Sequence, residues 1–215
     1  TEFLRQTTGM AFGDGVNQGI VRQNMFRHKE MGFTMSFPHD WRIRNKPNEV
    51  VAISPDGDAV MVLSRFENPR GSPADLARER LGLGSSTEIL SMVNNALPMA
   101  VVTSKTQNGQ PFKAGVIYLG ENAYLVAGRG DSHIAFERHQ PAISSAIGSF
   151  RALTVAEKEA IKPLEIRTIT AAKGMTYAEL ARESPLGIQA EGYLRLLNGQ
   201  YPEGEPVGQL IKVVK

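Results

Sequence analysis

Asp131, His133, Glu137 and His139 fall within nine residues of one another. If a helix starts near Ser132, His133 and Glu137 stand one turn apart on one face. Two imidazoles and a carboxylate form a zinc-type donor set. His133, Glu137 and His139 are therefore the metal candidates, and they define one functional reading: a stand-alone metal-dependent hydrolase. The same residues also read as a helix N-terminus with a solvated polar face. Their spacing matches none of the tight zinc patterns.

Other reactive constellations are thin. The four histidines are His28, His39, His133 and His139, and none has a second histidine four residues on, so H-E-x-x-H is absent. No serine sits in a Gly-x-Ser-x-Gly elbow. There are no cysteines, which excludes a disulfide framework, thiolate catalysis and cysteine-held metal. Gly13-Asp14-Gly15 through Gly19 lacks the preceding strand and the final spacing of a dinucleotide loop. Asp56 and Asp58 flank a turn glycine but supply too few oxygens for a calcium loop. Arg129-Gly130-Asp131 reads as a loop ending a strand. Trp41 reads as a core anchor that re-enters the interior after a turn, rather than as a sugar-stacking platform.

The elements that would position these residues are legible in part. Phe33, Met35 and Phe37 alternate with Thr34 and Ser36, which predicts a strand with one buried face. Val50 to Ile53 and Ala59 to Leu63 are two more strands, joined by the turn chemistry of Ser54-Pro-Asp-Gly-Asp58. Ser72-Pro73-Ala74-Asp75 predicts a helix start, with Gly82 and Gly84 stopping it. Ile89 to Val93 fits a short strand or a helix. Ala100 to Thr106, Phe112 to Leu119 and Ala123 to Ala127 form an antiparallel meander, with turns at Asn108-Gly109 and Gly120-Glu121-Asn122. Phe136, Ile143, Ile147 and Phe150 then recur at near-helical spacing, and Pro141 either begins that helix or kinks it. Thr154-Val-Ala-Glu157 is a capping box. The expected fold class is α+β, an antiparallel sheet packed with helices, followed by a small βααβ unit.

That last unit occupies about fifty residues. Ile166 to Ala172 is a strand, and Thr176-Tyr-Ala-Glu179 is a second capping box that turns Tyr177, Leu180 and Ala181 to a small core. Tyr193, Leu196 and Leu197 supply a second helix. Asn198-Gly199 and Gly208-Gln209 mark turns before a closing strand from Leu210. The expected organisation is a lead-in at 1–30 packing on the first domain, an α+β domain at 31–162, and the βααβ unit at 163–215, with Lys162-Pro163 at the boundary.

Composition bounds the rest. A chain of 215 residues with 41% hydrophobic and 21% charged side chains can bury one large or two small cores. Its 24 basic and 22 acidic residues are interspersed, so no nucleic-acid groove is expected. No apolar run approaches the ~20 residues of a membrane span. The chain begins at Thr1, as a trimmed or processed fragment would.

Two resemblances follow from these motifs. Phe33-Thr-Met-Ser-Phe-Pro-His-Asp-Trp41, the hairpin after it, the Pro73 helix, the meander and Ser149-Phe150-Arg151 together resemble the PsbP-like fold, which implies a noncatalytic docking domain. The βααβ unit resembles a LysM module. LysM-like sequences carry Gly-Asp-Thr after the first strand, and this chain has Gly174-Met175-Thr176, so the acidic residue is gone. The ligand-binding residues this resemblance implies are Gly174, Thr176, Asn198 and Gly199.

In order along nearly the whole chain, further segments resemble the C-terminal region of bacterial zinc metalloproteases of the HtpX and Ste type. They are Gly13-Asp14 with Gln18-Gly19, Gly32-Phe33 to Phe37-Pro38, Leu97-Pro98-Met99-Ala100, Ser149 to Leu153, and Lys162 to Ile166. The resemblance implies that catalytic residues and zinc belong to an N-terminal protease domain outside this chain. No cofactor and no catalytic residue is then expected here. The implied partners are that protease domain and an envelope protein or peptidoglycan, in the periplasm or cell envelope.

Overall fold

The structure is a computed structural model that describes residues 19–162, 164–186, 190–206 and 210–215. The Gly13-Asp14 segment, the proposed boundary residue Pro163 and Gly208-Gln209 lie outside the described residues. Asn24–Lys158 forms one unit. The described residues of Glu159–Lys215, with residues 19–23, form the other.

The larger unit is built on a seven-stranded antiparallel sheet. Its strands are β4 (Arg42–Asn45), β5 (Glu49–Ile53), β6 (Ala59–Glu67), β7 (Leu90–Asn94), β8 (Leu97–Lys105), β9 (Pro111–Leu119) and β10 (Asn122–Gly130), in the order β4-β5-β6-β10-β9-β8-β7. β10 therefore sits at the centre, with Val126 opposite Leu63 on one side and Gly115 on the other. The expected α+β class, an antiparallel sheet packed with helices, is what the chain adopts.

Each sheet face has its own helix. α1 (Pro73–Leu81) starts at a full capping box in which Ser72 and Asp75 exchange hydrogen bonds, and it ends at Gly82 in the left-handed region. Its Leu76 and Ala77 pack with Val116 and Ala123. On the opposite face lies α2 (His133–Gly148), capped by Ser132. Pro141 sits inside α2 rather than starting it. A proline there removes one helical hydrogen bond, and packing outweighs that loss. Ile143 and Ile147 rest on Gly128 and Gly115, where a side chain would collide with them. These strand glycines let the helix approach the sheet closely.

A second sheet in this unit contains β2 (Met25–His28), β3 (Phe33–Ser36) and β11 (Arg151–Ala152). The segment read as a weakly patterned lead-in thus contains a strand, whose Phe26 and His28 are buried. The predicted face of β3 is present, and Thr34 is buried as well because its hydroxyl donates to the Phe26 carbonyl at 2.9 Å. Phe33 stacks on Phe150 with ring centroids 4.8 Å apart, and Tyr124 packs 4.6 Å from Phe33. Burial pushes the Tyr124 phenol up to about 12. The Thr154–Glu157 capping box opens α3 (Val155–Ala160), and Glu157 also clasps Arg151 through two hydrogen bonds.

The smaller unit contains β1 (Ile20–Arg22) and a βααβ run: β12 (Ile166–Thr170), α4 (Tyr177–Arg182), α5 (Ala190–Leu197) and β13 (Leu210–Val214). β12 and β13 pair antiparallel, with Ile169 opposite Ile211. The core is Ala171, Tyr177, Leu194, Ile211 and Val213. The second helix read from Tyr193, Leu196 and Leu197 is present as α5; Tyr193 and Leu196 face outward on it, because its buried line runs through Ala190 and Leu194.

Candidate functional site

The predicted metal set does not converge. His133 and Glu137 do face each other across one turn of α2 at 3.2 Å, with both side chains about two-thirds exposed. His139 points elsewhere. Its Nε2 lies 2.9 Å from Oδ1 of Asp58, and the ring is largely covered. Trp41 meets that ring edge-on at 5.3 Å, which gives the tryptophan the anchoring position expected of it. Among the described residues no three histidine, aspartate or glutamate side chains are grouped so as to hold a metal.

The His139 contact belongs to a clasp centred on Asp58. The Ser54 hydroxyl donates to Asp58 Oδ1 at 2.8 Å, and the Ala59 amide donates to the same hydroxyl at 2.9 Å. Arg138 reaches the second carboxylate oxygen at 3.2 Å. The Asp131 amide donates to the Asp58 carbonyl at 2.9 Å. The Ser54 hydrogen bond holds the Asp58 carboxyl below its usual range against the opposing effect of desolvation, and His139 and Arg138 add to the lowering. Serine, aspartate and histidine are all present, but the carboxylate stands between the other two. A nucleophile needs its base on the hydroxyl itself. Here the imidazole nitrogen meets the carboxylate and not the hydroxyl, so the arrangement ties the β5–β6 hairpin to α2 instead of activating Ser54.

The remaining histidines are structural or solvated. The Met31 amide donates to Nδ1 of buried His28 at 3.3 Å. His39 is exposed beside Asp40.

In the smaller unit the four residues implied by the LysM-like pattern take up separate duties. Gly174 adopts φ +85°, a left-handed conformation, and its backbone lines a groove. The Thr176 hydroxyl accepts from the Glu179 amide at 3.2 Å, and Glu179 accepts from the Thr176 amide at 3.0 Å. Asn198 is fully engaged: its amide donates to the carbonyls of Leu194 and Lys212, and its oxygen accepts from the Lys212 amide. Gly199, at φ +68°, lets the chain leave α5.

The groove that contains Gly174 has a volume of about 580 Å³ and runs beside α4. Met175 and Leu180 give it an apolar lining, with Lys173, Arg182, Glu179 and Glu183 around them. Both charge signs line a short apolar strip.

Sequence reading missed the network that holds this unit in shape. Arg195 bonds Glu191 at 2.8 Å and Glu205 at 2.6 Å, and also donates to the Gly204 carbonyl. Its guanidinium lies 5.4 Å from the Tyr177 ring centroid. Glu205 in turn accepts from the Tyr177 amide at 2.7 Å. That amide, then Arg195, holds the Glu205 carboxyl below its usual range. The one visible signal was Glu191 four residues before Arg195.

No protein-family model matches the chain, and no curated protein does. Among solved structures the chain is similar to cyanobacterial PsbP (CyanoP) from Synechocystis sp. PCC 6803. That match has 11% identity and a TM-score of 0.46, covering 66% of this chain and 98% of that one. A Bacteroides thetaiotaomicron protein matches with 14% identity and a TM-score of 0.43, over 76% of this chain and 59% of that one, so the chain spans less than two thirds of its length. LpqN of Mycobacterium tuberculosis, described as involved in cell envelope biogenesis, matches with 12% identity and a TM-score of 0.40, over 71% and 96%.

Proposed function

We propose that this chain is a noncatalytic recognition region, and that the groove beside α4 is its binding surface. The observation that carries the reading is the groove itself: an apolar strip of Met175 and Leu180 beside the cations Lys173 and Arg182 and the anions Glu179 and Glu183. That mixture suits a ligand with apolar faces and groups of both charges, as a peptide-linked glycan of a cell wall has. The βααβ order supports the same reading, because it resembles a LysM module. Gly174 contributes backbone to the groove. Thr176, Asn198 and Gly199 would shape the unit without touching the ligand.

The ordered segments from Gly32-Phe33 to Lys162-Pro163 support a parent of the zinc metalloprotease type, with zinc and catalytic residues in an N-terminal domain. This region would then deliver that protease to an envelope partner, a substrate or peptidoglycan in the periplasm. The direct test is co-sedimentation of the full chain with purified peptidoglycan sacculi. Arg182→Glu and Leu180→Asp should each reduce the bound fraction about tenfold, as expected when a charge contact or the apolar strip is lost. Binding equal to the unaltered chain in both variants would rule out the groove as the glycan surface.

A further inference from the structure

β7 is the last strand on one side of the seven-stranded sheet, so among the described residues one flank of its backbone has no neighbouring strand. Such an edge offers a row of N–H and C=O groups that only another strand satisfies together. Soluble proteins usually block an edge with charge, proline or a bulge. The opposite edge follows that rule, since Arg42 and Arg44 of β4 are exposed. β7 does not. Leu90-Ser-Met-Val-Asn94 contains no ionisable side chain, and Leu90, Met92 and Val93 are 62%, 42% and 71% exposed.

The register shows what this edge can accept. Met92 pairs with Met99 of β8, and Leu90 with Val101, so Leu90 and Met92 lie on the α2 side of the sheet and Val93 on the α1 side. Apolar surface is therefore open on both faces of one strand. The strand end is also fixed. Asn94 donates to the Gly148 carbonyl at 2.8 Å, and Asn95 donates to the carbonyls of Gly148 and Phe150. The hairpin is tied to the C-terminal end of α2 and presents β7 in one position.

We propose that β7 is a self-association edge, along which two copies of this chain pair antiparallel about a twofold axis. The axis passes Met92, which faces Met92 of the second copy, and Ser91 faces Val93 of the second copy. A second copy fits because two uncharged strands bring no like charges together. Pairing β4 with itself would instead oppose Arg42 and Arg44 of both copies. The assembly closes at two, because the edges left outermost are the charged β4 strands. A five-residue strand pair falls short of the ~1,200 Å² that specific stable interfaces bury, so the dimer is weak and concentration-dependent.

The test uses the full chain in sedimentation velocity over a concentration series. The unaltered protein should shift from monomer to dimer. Val93→Lys should weaken the dissociation constant at least about tenfold by placing two cations across the axis, and Arg44→Ala should leave it unchanged. Val93 is exposed, so its variant keeps the melting temperature of the parent chain and stays interpretable. Because the chain has no cysteine, single-cysteine variants report register. Met92→Cys should form a disulfide-linked dimer under mild oxidation, since directly opposed residues in an antiparallel pair lie ~4.5–5.5 Å apart at Cα. Leu90→Cys, opposite Asn94, should not. A chain that stays monomeric and shows no preference for crosslinking at residue 92 overturns the proposal. So does a dimer indifferent to Val93→Lys.

Discussion

A methyl group added at Gly128 would lie 2.7 Å from Cγ2 of Ile143, closer than real side-chain carbons come. The contact explains how a helix with an internal proline lies flat on the centre of the sheet. Gly115 and Gly130 make similar room for Ile147 and the backbone at Phe136. Replacing Gly128 with alanine should therefore destabilise the larger unit by about 1–3 kcal/mol through overpacking. Removing Ile143 alone, as alanine, should cost about 2–5 kcal/mol. The double variant should be more stable than the sum of the two predicts, by at least about 1 kcal/mol. Urea unfolding of the four proteins measures the coupling, and simple additivity would refute the contact.

The β7–β8 turn makes a prediction of opposite sign. Asn95 and Ala96 both adopt positive φ, +50° and +62°. Asparagine tolerates that region and is held by the carbonyls of Gly148 and Phe150, whereas alanine is strained there by its Cβ. Ala96→Gly should raise stability by about 0.5–1 kcal/mol, the relief being partly offset by the freer unfolded chain. Asn95→Ala should lower it by about 2 kcal/mol, because two hydrogen bonds and a residue suited to the region are lost together. Thermal unfolding midpoints should move in opposite directions for the two variants.

Acid sensitivity follows from carboxylates whose folded pKa is depressed. Glu157 is held well below the usual range, first by the Arg151 guanidinium and then by the Thr154 amide. Asp58, Asp75 and Glu205 are also lowered. A depressed carboxylate adds stability that is present above its unfolded pKa, about 4, and is lost as pH falls toward the folded value. The urea midpoint should thus be flat near neutral pH and decline below about pH 4.5. Glu157→Gln should make that decline shallower. An unchanged slope in the variant would show that the Arg151 clasp does not contribute to it.

Local signals were the legible ones. The capping boxes at Thr154 and Thr176 involve residues three apart, and both form as read; the helix start read at Ser72 also forms, and there the structure adds a capping box with Asp75. The α+β class was legible because alternation in Phe33 to Phe37 and in the meander survives whatever packs against it. β2 and β4 were not legible. β2 places His28 in the core as if it were apolar, and β4 has one apolar residue among Arg42, Arg44 and Asn45. The candidate site was least visible. His139 binds Asp58 across 81 residues of sequence, so its nearness to His133 along the chain misleads. In the groove, Met175, Leu180 and Arg182 carry no motif of their own, and what unites them is only the turn of α4 beside the Gly174 loop.

Asn198 separates a structural role from a ligand-binding one. Its side chain makes three hydrogen bonds, to the carbonyls of Leu194 and Lys212 and from the amide of Lys212, and so joins the end of α5 to β13. Asn198→Ala removes all three, and with them the link from α5 to the Lys212 backbone, which should destabilise the smaller unit by about 2–3 kcal/mol. Asn198→Asp keeps an acceptor for the Lys212 amide but sets a negative oxygen against two carbonyls, so it should rescue little of the loss. Below the melting transition both variants should retain sacculi as well as the parent chain does, because the groove beside α4 is not built from this residue. Loss of sacculus binding by a variant that is still folded, as judged by circular dichroism, would return Asn198 to the ligand surface.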